Sequence, residues 1–127
     1  VFRPSNGIWY ILNSATNTFT ATQFGIATDR TVAADYDGDG TTDIAVYRPA
    51  EGNWYRLNSS NGQFVAVKFG IDSDKPVPAD YDGDGRADLG VYRPAEGVWY
   101  LLGSTSGFSA AQFGISSDIP IPNAFVR

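Results

Sequence analysis

Apolar residues fall in short runs along this chain, and glycine, proline, asparagine or serine closes each run. Ile44-Ala-Val-Tyr-Arg48 and Leu89-Gly-Val-Tyr-Arg93 read as strands, rich in β-branched and aromatic residues. Pro49 and Pro94 end them, because proline has no N–H to give to a ladder. The pattern predicts four strands per unit, at 31–35, 44–48, 53–58 and 63–69, with 71–78 leading into the next unit.

The pattern repeats every 45 residues. Val1-Phe-Arg-Pro returns as Val46-Tyr-Arg-Pro and Val91-Tyr-Arg-Pro, and Gly7-Ile-Trp-Tyr returns at Gly52 and Gly97. Phe24-Gly-Ile returns at Phe69 and Phe113; the last interval is 44, so the third unit has lost one residue, at a loop tip around 103–107 where a deletion costs least. Units of about 40–50 residues with four strands are the signature of propeller blades. The expected fold is therefore all-β: blades of four antiparallel strands, about three blades in a single repeat domain, with units 1–45, 46–90 and a truncated 91–127. The first unit begins at what would be a second strand, and 119–127 aligns with a first strand. Those ends are complementary, which points to a homo-oligomeric ring, a filament, or a longer repeat array.

One stretch carries most of the chemistry. Asp35-Tyr-Asp-Gly-Asp-Gly-Thr-Thr-Asp43 recurs as Asp80-Tyr-Asp-Gly-Asp-Gly-Arg-Ala-Asp88. Four carboxylates in one short loop repel one another unless a cation sits among them, and calcium takes six to eight oxygens. The candidate ligands are the side chains of Asp35, Asp37, Asp39 and Asp43 with the carbonyl of Thr41, and those of Asp80, Asp82, Asp84 and Asp88 with the carbonyl of Arg86. A backbone ligand tolerates the exchange of threonine for arginine. The spacing starts like an EF-hand, but position twelve is Val46 or Val91 instead of glutamate, which favours a loop closing a β-hairpin. Gly40 and Gly85 are expected to take the positive φ that the reversal needs. In 119–127, Ala124 and Val126 replace the first two acids, so no third loop is expected.

Across nearly all 127 residues the chain resembles the FG-GAP/VCBS repeat family of calcium-binding β-propellers, found in integrin α-subunits and many bacterial secreted proteins. Phe-Gly at 24, 69 and 113 and the two acidic loops carry the resemblance, while Tyr-Arg-Pro departs from the family's Gly-Ala-Pro. The resemblance implies one structural calcium in the hairpin between the first two strands of a blade, on the rim, hence two Ca2+ sites here. It does not imply a ligand for the propeller face.

Composition narrows the function. Eight of the fourteen acids lie in the two loops, so the net charge of −5 reflects metal ligation more than a basic partner. Nine scattered Lys and Arg form no basic stripe, which argues against nucleic acid. No run is long and apolar enough to span a bilayer, so membrane insertion is not expected. Without Cys or His, disulfides and the common nucleophilic triads are excluded, and no enzyme is expected.

Trp9, Trp54 and Trp99 recur once per unit, as expected for packing between blades; exposed aromatics would instead suit a carbohydrate-binding propeller, the alternative function. Arg3, Arg48 and Arg93 are expected to form an ion pair or to stack on an aromatic ring. Asp29, Asp74 and Asp118 are expected to cap turns. Asn58-Ser-Ser fits a glycosylation sequon. Weak calcium loops suit millimolar extracellular calcium, so the expected role is a secreted or cell-surface module for assembly or adhesion, with a glycan or protein ligand.

Overall fold

The structure is a computed structural model that describes residues 1–122. Among these residues there is no helix, and so none long and apolar enough to cross a membrane. The aligned positions Ala124 and Val126, and the rest of the expected strand beyond 122, lie outside the described residues.

Eleven strands form three antiparallel meanders. The first holds β1 (Phe2–Arg3), β2 (Ile8–Asn13) and β3 (Thr18–Gln23) in that order. The second holds β4 (Arg30–Thr31), β5 (Ile44–Arg48), β6 (Asn53–Leu57) and β7 (Phe64–Lys68). The third holds β8 (Lys75–Pro76), β9 (Leu89–Arg93), β10 (Val98–Gly103) and β11 (Gly107–Gln112). This is the all-β, blade-like architecture expected, with three strands in the first sheet and four in the others.

The first strand of each unit is shorter than the pattern predicts. Only Arg30–Thr31 pairs regularly, with Tyr47 and Val46; beyond it Val32 donates to Ala45 O, and Ala34 bridges Asp43. The ladder stops there because the next N–H groups, of Tyr36 and Asp37, go to the Asp43 carboxylate. In the third sheet, Pro76 and Pro78 have no N–H to extend it.

The core lies between the second and third sheets, where Val32, Tyr36, Ala45, Tyr47, Trp54, Leu89 and Val91 form one cluster. β5 is buried over Ala45, Val46 and Tyr47, which explains why its sequence is a continuous apolar run instead of an alternating one. Each tryptophan also ties its own sheet to the segment that leaves it. Trp9, Trp54 and Trp99 donate their indole N–H to the carbonyls of Phe24, Phe69 and Phe113 at 2.9, 2.8 and 2.9 Å. Trp9 and Trp54 are buried, in keeping with the packing role expected.

The recurring glycines have a shared cause. Gly52 turns the chain after Arg48 with φ +67, its carbonyl accepts from Phe69 N–H at 2.8 Å, and a Cβ there would fall on the carbonyl oxygen of Gly70. Gly7 meets Gly25 and Gly97 meets Gly114 in the same way. The Phe-Gly and the Gly-x-Trp-Tyr motifs are thus two halves of one backbone contact.

Candidate metal centre

Each acidic loop leaves a short first strand and returns into a buried second strand. Tyr36 anchors the first loop: its ring is buried and its hydroxyl donates to Val32 O at 2.6 Å. Burial holds that phenol well above its ordinary pKa. Tyr81 makes the equivalent bond to Val77 O at 2.7 Å. Within the loops Gly38, Gly40, Gly83 and Gly85 all have φ between +76 and +88, so both glycines of each D-G-D-G core are left-handed.

The carboxylates converge. In the second loop, Asp80, Asp82, Asp84 and Asp88 each place an oxygen within 4.8 Å of the others; in the first, Asp35, Asp37 and Asp39 do so. Asp43 stands apart in function from that trio. Its fully buried carboxylate accepts from Tyr36 N and Asp37 N through one oxygen and from Ser59 N through the other. Asp88 does the same with Tyr81 N, Asp82 N and Ser104 N while also joining its cluster. The ninth position therefore staples the loop to the turn between the third and fourth strands of its sheet. Asp35 and Asp80 spread their two oxygens over the N–H groups of Gly38 and Gly40, and of Gly83 and Gly85. Each carboxylate oxygen has two lone pairs, so these bonds shape the loop and leave acceptor capacity toward its centre.

The side chain of Arg86 extends from the second loop over Gly38 of the first, and Ala87 N donates to Asp35 O at 2.7 Å. The two loops are thus in direct contact. Thr41 O lies 3.5 Å from the Ser59 hydroxyl.

Hydroxyl residues complete both sites, and these were not singled out from the sequence. Ser59 donates to Asp39 at 3.0 Å and Ser60 to Asp37 at 2.7 Å; Ser104 and Thr105 both donate to Asp84. The hydroxyls hold the Asp84 carboxyl well below the usual carboxylate range, and Ser60 lowers Asp37 in the same sense. Their signal was a pair of hydroxyl residues at the same place after each acidic loop.

The sequon asparagine is placed otherwise than its motif implies. Asn58 is buried and its Oδ1 accepts from Arg56 Nε at 3.0 Å, so the folded chain does not present it for glycosylation.

Arg48 and Arg93 satisfy both expectations at once. Each forks onto an aspartate, Asp29 at 2.7 and 2.9 Å and Asp74 at 2.8 and 2.9 Å, and each stacks on a tyrosine, Tyr55 at 4.8 Å and Tyr100 at 4.6 Å. The same aspartates cap the linker turns by accepting from Ile26 N and Ile71 N.

Residues 35–91 match the family model described as an FG-GAP-like repeat. The chain carries an FG-GAP-like repeat. The match runs from the first residue of the first acidic loop through β5, β6 and β7 and the second acidic loop into β9. No curated protein and no solved structure matches the chain. The matched repeat and the three antiparallel meanders are consistent with propeller-like blades.

Proposed function

We propose that this FG-GAP-like module is calcium-stabilised and extracellular, works in structural assembly or adhesion, and has no catalytic role. The observation that carries the reading is the duplicated convergence of carboxylates in loops that are shaped from within by their own backbone. Oxygen donors alone, spread over a flexible glycine-containing loop, suit calcium better than metals that prefer nitrogen or sulfur. Bound there, the ion would supply charge neutralisation, and Asp35, Asp37 and Asp39, with Asp80, Asp82, Asp84 and Asp88, would hold it. The staple made by Asp43 and Asp88 would transmit that ordering to the neighbouring turn.

We favour this reading over the alternative of a carbohydrate-binding propeller using aromatic residues, since Trp9 and Trp54 are buried with their indole N–H groups used, although Trp99 is only half-buried.

The test is thermal unfolding in millimolar calcium and in EDTA. For dissociation constants near the tight end of extracellular modules, each site would stabilise by about 2 kcal/mol at about 2 mM calcium. Two sites then raise Tm by about 15 °C. Asp82→Ala should remove about half of this shift. An unchanged Tm on chelation rejects the calcium reading.

A further inference from the structure

The second acidic loop touches the first through two adjacent residues. Arg86 stands at the seventh position of its loop, where its carbonyl is a candidate ligand, and Ala87 lies between it and Asp88. The Ala87 N–H turns away from its own loop and donates to Asp35 O at 2.7 Å. Asp35 is the first acid of the other loop, and its carboxylate accepts from Gly38 N and Gly40 N at 2.7 and 2.9 Å. The Arg86 stem covers that same turn, where a Cβ on Gly38 would lie 3.0 Å from Arg86 Cγ and 3.7 Å from Cδ.

Each loop is closed at its neck by its own sheet, Asp43 N donating to Ala34 O at 2.8 Å and Asp88 N to Ala79 O at 2.7 Å. Just inside the first neck, the support comes from the neighbouring sheet. One peptide of the second loop, flanked by the candidate ligands Arg86 and Asp88, therefore fixes the main chain that presents the first carboxylate of the first loop.

We infer that Arg86 and Ala87 are positioning residues for calcium in the first loop as well as members of the second, so that the two sites fill as a positively coupled pair. This rests on the calcium reading of both loops. When segment 86–88 is ordered around an ion of its own, the Ala87 N–H holds Asp35 in place and the Arg86 stem holds Gly38. The first loop then has less ordering left to do. Linkage makes the effect equal in both directions. Repulsion between the sites is blunted, since a loop of four carboxylates with one calcium still carries two negative charges.

The test is calorimetric titration with calcium of the full chain and of Asp37→Ala and Asp82→Ala, which leave the second and the first loop respectively. The product of the two wild-type binding constants should exceed the product of the two single-loop constants by about tenfold. Charge nearly drops out of this ratio, because the three acids left in a disabled loop lie midway in charge between an empty and a filled loop. The ratio should therefore persist at about 0.5 M KCl. Arg86→Thr gives the second loop the residue type of Thr41, which keeps the carbonyl and removes the stem from Gly38. Made in all three chains, it should cut the ratio to about threefold. In Asp82→Ala, with a native fold by circular dichroism, filling the first loop should also slow hydrogen exchange of the Ala87 amide by about tenfold. A ratio at or below one, an unchanged ratio in Arg86→Thr, or unchanged exchange at Ala87 overturns the inference and leaves calcium binding standing. A wild-type chain that takes up no calcium rejects the calcium reading, and the inference with it.

Discussion

Removing Arg93 should destabilise the fold more than neutralising its partner. The guanidinium forks onto Asp74 with both N···O distances below 3 Å, and the Asp74 side chain is completely buried while that of Arg93 is 22% exposed. Arg93→Ala leaves a buried carboxylate with one remaining donor, Ile71 N at 2.9 Å. Breaking a buried pair from one side costs about 3–5 kcal/mol. Asp74→Asn keeps an acceptor for Ile71 N–H, and the freed guanidinium still rests on Tyr100 and lies 3.9 Å from Glu96, within reach of water. Its cost should be about 1–2 kcal/mol. Equilibrium urea unfolding at pH 7 separates the two, since a difference of about 2 kcal/mol moves the midpoint by about 1 M for a domain of this size. The double variant should cost less than the sum of the singles by at least about 1 kcal/mol. Arg48→Ala, acting on Asp29 in the same geometry, should repeat the Arg93→Ala result. Equal losses for the two single variants, or a loss below about 1 kcal/mol for Arg93→Ala, would refute the argument and place the pair among ordinary surface ion pairs.

Gly52→Ala and Gly62→Ala share a left-handed φ, +67 and +71, but only the first would drive a Cβ into backbone, at Gly70 O. Gly62→Ala should cost about 1 kcal/mol and Gly52→Ala at least twice as much, read as Tm; equal shifts would discount the clash. Alkali should destabilise the chain. Burial pushes the Tyr47 phenol up from 10.0 to about 12, and its hydroxyl donates to Ile71 O at 2.6 Å. A raised folded pKa means that this stability is complete below pH 10 and is lost as pH rises through about 12. Tyr47→Phe should flatten the fall in stability between pH 10 and 12, measured by urea unfolding across that range; an unchanged slope would exclude this phenol as its source.

The period and the acidic loops were legible because both are local: a 45-residue interval and nine-residue motifs can be read without knowing what touches what. What escaped was long-range. Ser59 and Ser60 reach carboxylates 20 and 23 residues upstream, and a Ser-Ser turn looks the same whether or not an acidic loop lies beside it. Arg48 and Asp29 were each given a correct but partial role, since the fork between them spans 19 residues and joins a linker to the end of a strand. Asp43 was legible as an acid but not as a staple, because its partners are backbone N–H groups that carry no sequence signature. The first strand was drawn too long for the same reason: residues 31–35 look extended, but the loop carboxylate competes for the N–H groups that would have extended the ladder.

These particulars explain how thin sheets of three or four strands hold together. The apolar cluster between the second and third sheets, with Phe69 packed against it, is reinforced at the Phe-Gly corners. There each junction combines one buried aspartate paired with an arginine, one valine seated on a glycine, one edge-on pair of phenylalanines, and a tyrosine hydroxyl tied to the next linker, Tyr47 to Ile71 and Tyr92 to Ile115. Stability in such an array adds junction by junction, as in other repeat proteins. The acidic loops sit at the opposite end of the first and second strands from the Arg-Pro turns, and their staples reach a different turn, at Ser59 and Ser104. The acidic loops and the blade-to-blade junctions at the Phe-Gly corners therefore use separate residues, and a variant that abolishes one should leave the other measurable.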